Sequence, residues 1–134
     1  MNTVFTYGSL MFAPVWAHVV RGKYASAEAT ALGVRRGAVP NEEYPGCLRD
    51  ANAQTQGCAY FNVAAEDLAR LDTFEGAHYW RESVLLRFDD AQTQPAWIYL
   101  YRFSEKLSAA DWSPERFERE GMAKFLANYT PTTL

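Results

Sequence analysis

Few cysteines, no surplus of basic charge and no long apolar run: each shortage in this chain of 134 residues removes a class of function. Cys47 and Cys58 are the only cysteines, too few for a disulfide framework. Met1 to Tyr7 has no basic start and no apolar stretch of signal-peptide length, so reduced thiols and a cytoplasmic location are expected. The longest apolar run, 10–17, has eight residues and contains Pro14, whereas a membrane span needs about 20. No membrane partner is expected. Lys and Arg total 13 against 16 Asp and Glu, for a net charge of −3, and form no cluster. Phosphate neutralisation needs clustered cations, so no nucleic-acid partner is expected either. Apolar residues at 49% with only 22% charged exclude a disordered chain. Repeats and linkers are absent, and residues 1–134 read as a single domain. What the chain does have is rings: 15% of its residues are Phe, Trp or Tyr, enough for an aromatic core or pocket.

The punctuation of the chain predicts strands with helices between them. Val4 to Tyr7 is a short β-prone segment ending at Gly8-Ser9. Pro14 to Gly22 reads as a short helix stopped by Gly22. Ala27 to Val34 fits strand or helix, and Arg35 to Asp50, with Gly37, Pro40, Asn41, Pro45 and Gly46, reads as loop. Gln56 to Val63 reads as a strand with Cys58, Tyr60 and Asn62 on one face and Ala59, Phe61 and Val63 on the other. Ala65 to Phe74 is helical in pattern, with Gly76 as its stop. Tyr79 to Phe88 and Ala96 to Phe103 read as strands around a turn-like Asp89 to Pro95. The second of these carries Trp97, Tyr99, Tyr101 and Phe103 on one face. Ser113-Pro114 is a helix start, and Phe117, Gly121, Phe125 and Tyr129 recur every four residues behind it. The fold class that follows is mixed α/β (α+β) around an antiparallel or barrel-like sheet.

Two places carry chemical promise. Tyr7-Gly8-Ser9-Leu10, between a strand and a helix, can present successive backbone N–H groups as an anion cradle, though it is also an ordinary strand end. The second is Glu75. At about 100° per residue, it falls angularly between Leu68 and Leu71, inside the helix's apolar stripe and at its negative C-terminal end. Burial and dipole both raise a carboxyl pKa, as a general base working near neutrality requires. An ion pair with Arg81, or a frayed helix end, would be the structural reading of the same residue. Ser9 has only His18 and His78 as possible partners. The two cysteines and two histidines match no zinc spacing, so no metal is expected. The Trp97-Tyr99-Tyr101 stripe reads as core, with a tyrosine hydroxyl available to a pocket.

These pieces join in a resemblance. Val4-Phe5-Thr6-Tyr7-Gly8-Ser9-Leu10-Met11 resembles the opening motif of the gamma-glutamylcyclotransferase-like superfamily. Tyr44-Pro45-Gly46, Gly57-Cys58-Ala59-Tyr60, Leu71-Asp72-Thr73-Phe74-Glu75-Gly76 and Tyr79-Trp80-Arg81 follow the same pattern. So do Ala96-Trp97-Ile98-Tyr99-Leu100-Tyr101 and Asp111-Trp112, so the likeness runs from residue 3 to about 112. It implies a small β-barrel with surrounding helices and conversion of a small-molecule gamma-glutamyl amine or peptide to 5-oxoproline and the free amine. Carried over, Tyr7, Gly8, Ser9 and Leu10 would hold the substrate's α-carboxylate and Glu75 would be the catalytic acid/base. The loop or a tyrosine such as Tyr99 would serve the oxyanion, and no cofactor is implied. The alternative is a non-catalytic module binding a small carboxylate ligand on the same fold. Arg81 is expected to be structural, pairing with Asp72 or Glu82.

Overall fold

The computed structural model describes residues 2–128. Five strands, β1 (Asn2–Thr6), β2 (Ser26–Ala38), β3 (Pro45–Val63), β4 (Tyr79–Arg87) and β5 (Thr93–Tyr101), close into a barrel in the order β1-β3-β2-β4-β5. Neighbouring strands are antiparallel except β1 and β5, which run parallel where Val4 meets Trp97 and shut the barrel. Helices α1 (Ala13–Val19) and α2 (Ala65–Glu75) and a C-terminal helical stretch, 114–128, surround it. Among the described residues, no helix is long and apolar enough to cross a membrane.

The barrel interior alternates small and large side chains. Ala29, Ala31, Ala59 and Ala96 sit among Phe5, Leu86, Ile98 and Leu100, so a narrow barrel fills without a channel. Each fully buried Leu or Phe contributes about 1.5–3 kcal/mol. A second apolar layer lies outside, where Val4, Tyr60, Leu71, Tyr99 and Trp112 pack between barrel and helices. The aromatic stripe of β5 therefore faces outward in part: Trp97 and Tyr99 meet the helical layer, while Ile98 and Leu100 point into the barrel. Phe103 lies past the strand end, its ring 5.9 Å from that of Tyr101.

Several expectations need correction. The segment Arg35 to Asp50 is not one loop: β2 runs to Ala38 and β3 begins at Pro45, with Gly37 paired to Gly46. Glycine here serves close approach, since a Cβ on Gly46 would lie 2.5 Å from that of Tyr101. Val63 leaves the face of Ala59 and Phe61 and joins Tyr60 in the outer layer, because Asn62 turns through φ +56°. Helix α1 ends at Val19 and not at Gly22. The Gly22 N–H instead donates to Asp67 at 2.8 Å. That buried carboxylate also accepts from Arg21 N, Tyr24 Oη and Arg70, at 2.9, 2.6 and 2.6 Å, and fastens the chain after α1 to the first turn of α2.

The last helix starts as expected. The Ser113 hydroxyl accepts the Arg116 N–H at 3.1 Å, with Pro114 in the first turn. Phe117, Gly121 and Phe125 are buried. A four-residue step overshoots an α-helical turn by about 40°, and the π segment Phe117–Gly121 widens the turn that absorbs the excess. Tyr129, the fourth member of that repeat, lies outside the described residues.

Candidate active site

Strand β1 delivers the chain to Tyr7, whose buried hydroxyl donates to the Tyr99 carbonyl at 2.6 Å. The Tyr7 carbonyl accepts from Arg36 at 2.9 Å, so the residue is held at both ends. A tight turn follows over Ser9–Met11, in which Met11 N–H bonds to the Gly8 carbonyl at 3.0 Å and Phe12 N–H to the Ser9 carbonyl at 3.2 Å. The first N–H groups of such a turn have no partner within it, which frees those of Gly8, Ser9 and Leu10 to face another acceptor. Gly8 is required by contact: a Cβ there would lie 2.8 Å from the Pro45 ring.

Helix α2 carries Glu75 as its last residue, and Gly76 leaves the helix at φ +70°, a conformation that glycine adopts freely. Burial, with the negative charge of Asp72 adding, pushes the Glu75 carboxyl up to about 8. Arg81 does not neutralise it. Its guanidinium meets Asp72 at 2.9 and 3.3 Å and lies 4.4 Å from the Trp97 ring centre. Asp72 also accepts the Tyr99 hydroxyl at 2.6 Å. Glu82, the other expected partner of Arg81, pairs with Arg49 at 2.7 Å. Among the described residues, no hydrogen bond or ion pair engages the Glu75 carboxyl.

One cavity brings these parts together. Tyr7, Gly8, Ser9, Leu10, Glu75 and Tyr99 all line it, within an empty volume of about 550 Å³ that includes its mouth. Sequence reasoning missed the other walls: Tyr44, Pro45, Phe74, His78, Tyr79 and Phe125. Tyr44-Pro45 stood in a family motif but inside an assumed loop. Tyr79 likewise stood in a family motif, but its contact with this wall, a hydroxyl that donates to the Pro45 carbonyl at 2.7 Å, is not visible in the sequence. Phe125 carried a helical repeat that signalled core alone. Asp72 carried a signal that went unused, three residues before Glu75 and so on the same helical face.

Of the remaining candidates, Ser9 and His78 line the same cavity, whereas His18, Cys47 and Cys58 do not. Among the described residues, no hydrogen bond joins the Ser9 hydroxyl to a histidine, and no group of three His, Cys, Asp or Glu side chains is placed to hold a metal. Cys47 lies inside the barrel, where burial pushes its thiol up to about 12, and Cys58 packs against the outer layer.

Comparison with known proteins places this geometry in a family. The chain is 26% identical to AIG2-like protein D of Arabidopsis thaliana over 129 residues, covering 94% of this chain and 85% of the relative. A solution structure of an Arabidopsis thaliana protein superposes with a TM-score of 0.73 at 22% identity, over 96% of this chain and 87% of its own. A solved gamma-glutamyl cyclotransferase superposes with a TM-score of 0.65 at 14% identity, over 99% of this chain and 90% of its own. At those identities the two structures share the barrel fold. The model of the family described as "Gamma-glutamyl cyclotransferase, AIG2-like" matches residues 4–114, and this chain belongs to that family.

Proposed function

We propose that this protein is a cofactor-free gamma-glutamyl cyclotransferase with Glu75 as general acid/base. One observation carries the reading: a carboxyl pushed up to about 8 lines the same cavity as the backbone turn of residues 7–10. The family includes gamma-glutamyl cyclotransferase enzymes. A gamma-glutamyl amine brings its own nucleophile, the α-amine, and its own electrophile, the γ-carbonyl. Closing a five-membered ring between them makes the attack intramolecular, which already removes much of the entropic barrier.

The residues take the following roles. The N–H groups of Gly8, Ser9 and Leu10 hold the α-carboxylate, which fixes the amine beside the γ-carbonyl. Glu75 accepts a proton from the α-ammonium, and the freed nitrogen attacks. Protonated Glu75 then donates to the leaving nitrogen as the C–N bond breaks. In becoming the ring amide N–H the α-ammonium loses two protons, one before attack and one after it, and the leaving nitrogen gains both. 5-Oxoproline and the free amine in its protonated form therefore together hold the atoms of the substrate. The Tyr99 hydroxyl is committed to Asp72 and positions that carboxylate. Aromatic walls at Tyr44, Phe74 and Phe125 would receive the leaving group.

Incubation with a panel of gamma-glutamyl amines and peptides, read by mass spectrometry, tests the assignment. Appearance of 5-oxoproline with the matching amine is expected. Saturable binding of the panel without product would make the protein a carboxylate-binding module, and a covalent Ser9 adduct with a serine-directed reagent would make it a hydrolase.

A further inference from the structure

Arg36, on β2, stands behind the turn and not in the cavity. Its Nε and Nη2 meet the two oxygens of Asp111 at 2.8 and 3.1 Å. Its Nη1 donates to the Tyr7 carbonyl at 2.9 Å, and its Cζ lies 5.5 Å from the Trp112 ring centre. The arginine side chain is only 12% exposed, although Asp111 remains at 62%. Arg36, Asp111 and Trp112 line a separate surface depression that shares none of its lining residues with the Glu75 cavity. The Asp111-Trp112 pair, conspicuous in the sequence and unused by the chemistry above, thus locks the plane of this guanidinium.

The consequence follows from peptide geometry. The described residues contain no cis peptide bond. In a trans unit the C=O and N–H point to opposite sides. The unit whose carbonyl Arg36 holds is Tyr7–Gly8, so its N–H is that of Gly8. Pinning the carbonyl toward Arg36 turns that N–H the other way, on the side where Gly8 lines the cavity. A cation on the carbonyl also draws electron density from the peptide nitrogen and makes its N–H a stronger donor. Lysine cannot replace this arrangement, because three separate acceptor contacts in one plane need the guanidinium fork.

We infer that Arg36 is a positioning residue that, through the Tyr7–Gly8 peptide, aims and strengthens the Gly8 N–H as a donor to the substrate's α-carboxylate. The inference rests on the carboxylate-holding role proposed for residues 7–10. It predicts a loss confined to ligands that carry that carboxylate.

The test is a calorimetric cycle in a Glu75→Gln background, where bound substrate is not consumed. Two probes are compared, gamma-glutamyl methylamide and its analogue with the α-carboxylate replaced by a carboxamide. Arg36→Met is expected to weaken the first about tenfold or more, the scale of a charge-assisted hydrogen bond, and the second less than twofold. Arg36→Lys is expected to recover only part of the loss. Asp111→Asn, which keeps the Arg36 charge but loosens the guanidinium, is expected to show the same selectivity at smaller size, and it carries the test if Arg36→Met does not fold. Equal weakening of both probes overturns the inference and leaves Arg36 a structural residue. If the selective loss appears while the native protein yields no 5-oxoproline, the cyclisation reading fails and the role of Arg36 stands. If the native protein yields product and the losses are equal, the reverse holds.

Discussion

Tyr99 donates its hydroxyl to Asp72 across 2.6 Å, and that carboxylate stands three residues before Glu75 on the same helix. Arg81 holds the same carboxylate at 2.9 Å, so Asp72 is fixed from two elements, β4 and β5. Its position makes it the electrostatic neighbour that, after burial, raises the Glu75 carboxyl to about 8. The two acidic residues differ in their partners: Asp72 is hydrogen-bonded and ion-paired, whereas among the described residues no hydrogen bond or ion pair engages Glu75.

The pH dependence of kcat/KM follows from this pair. Glu75 must be ionised to accept a proton, so the rate is expected to rise with pH up to about 8. Asp72→Asn removes a negative neighbour and should move that limb to lower pH. A limb in the native protein near the usual glutamate value of about 4.3 would contradict the assignment.

Stability carries the opposite signature. The folded Glu75 keeps its proton to about 8, whereas the unfolded chain releases it in the ordinary carboxylate range. The native state therefore binds the extra proton, and this residue's contribution to stability falls as pH rises through that window. Glu75→Gln is expected to melt at a higher temperature than the native protein at pH 8, with the gap shrinking toward pH 4. A variant less stable at pH 8 would show that the carboxylate is not strained by its surroundings.

Asp67 behaves in the reverse sense. Burial opposes its charge, but bonds from Tyr24, Arg21, Gly22 and Arg70 outweigh it and lower the carboxyl to about 2. A depressed pKa gives stability that is present above the unfolded value and lost as pH falls through the folded one. Asp67→Asn should cost about 3 kcal/mol at pH 7, read from urea unfolding. The difference from the native protein should decline below about pH 4.

Two glycines separate site from scaffold. In Gly8→Ala the new methyl meets the Pro45 ring at 2.8 Å, so the turn must shift. KM for a gamma-glutamyl substrate is expected to rise about tenfold, with a stability cost of about 1–3 kcal/mol. Gly33, at φ +75° with nothing within 4 Å of a built Cβ, marks the register shift between Leu32 and Val34. Gly33→Ala should cost about 1–2 kcal/mol and leave KM unchanged. Michaelis kinetics and denaturation of both variants distinguish the two effects.

Local signals made part of this molecule legible. The 3.6-residue period carried α2 to Phe74, one residue short of its end at Glu75, Gly76 marked its stop, and the Ser113 cap marked the start of the last helix. The Tyr7 to Leu10 turn announced itself by composition and by family likeness. What stayed hidden depended on distant partners. Gly37 and Gly46 look like loop residues until they are seen to be where β2 and β3 press against Leu107 and Tyr101. Val63 changes face through the backbone of Asn62, which side-chain alternation does not register. Arg36, Tyr44 and Phe125 reach the site or its supports from three separate parts of the chain, so no spacing rule links them.

The most direct measurement compares the native protein with Glu75→Gln, side by side, for release of 5-oxoproline from the gamma-glutamyl compound turned over fastest. Product from the native protein is expected, with at least a thousandfold slower release from the variant and substrate affinity retained. Equal rates from both would show that the proton moves by another route and that Glu75 is not the base.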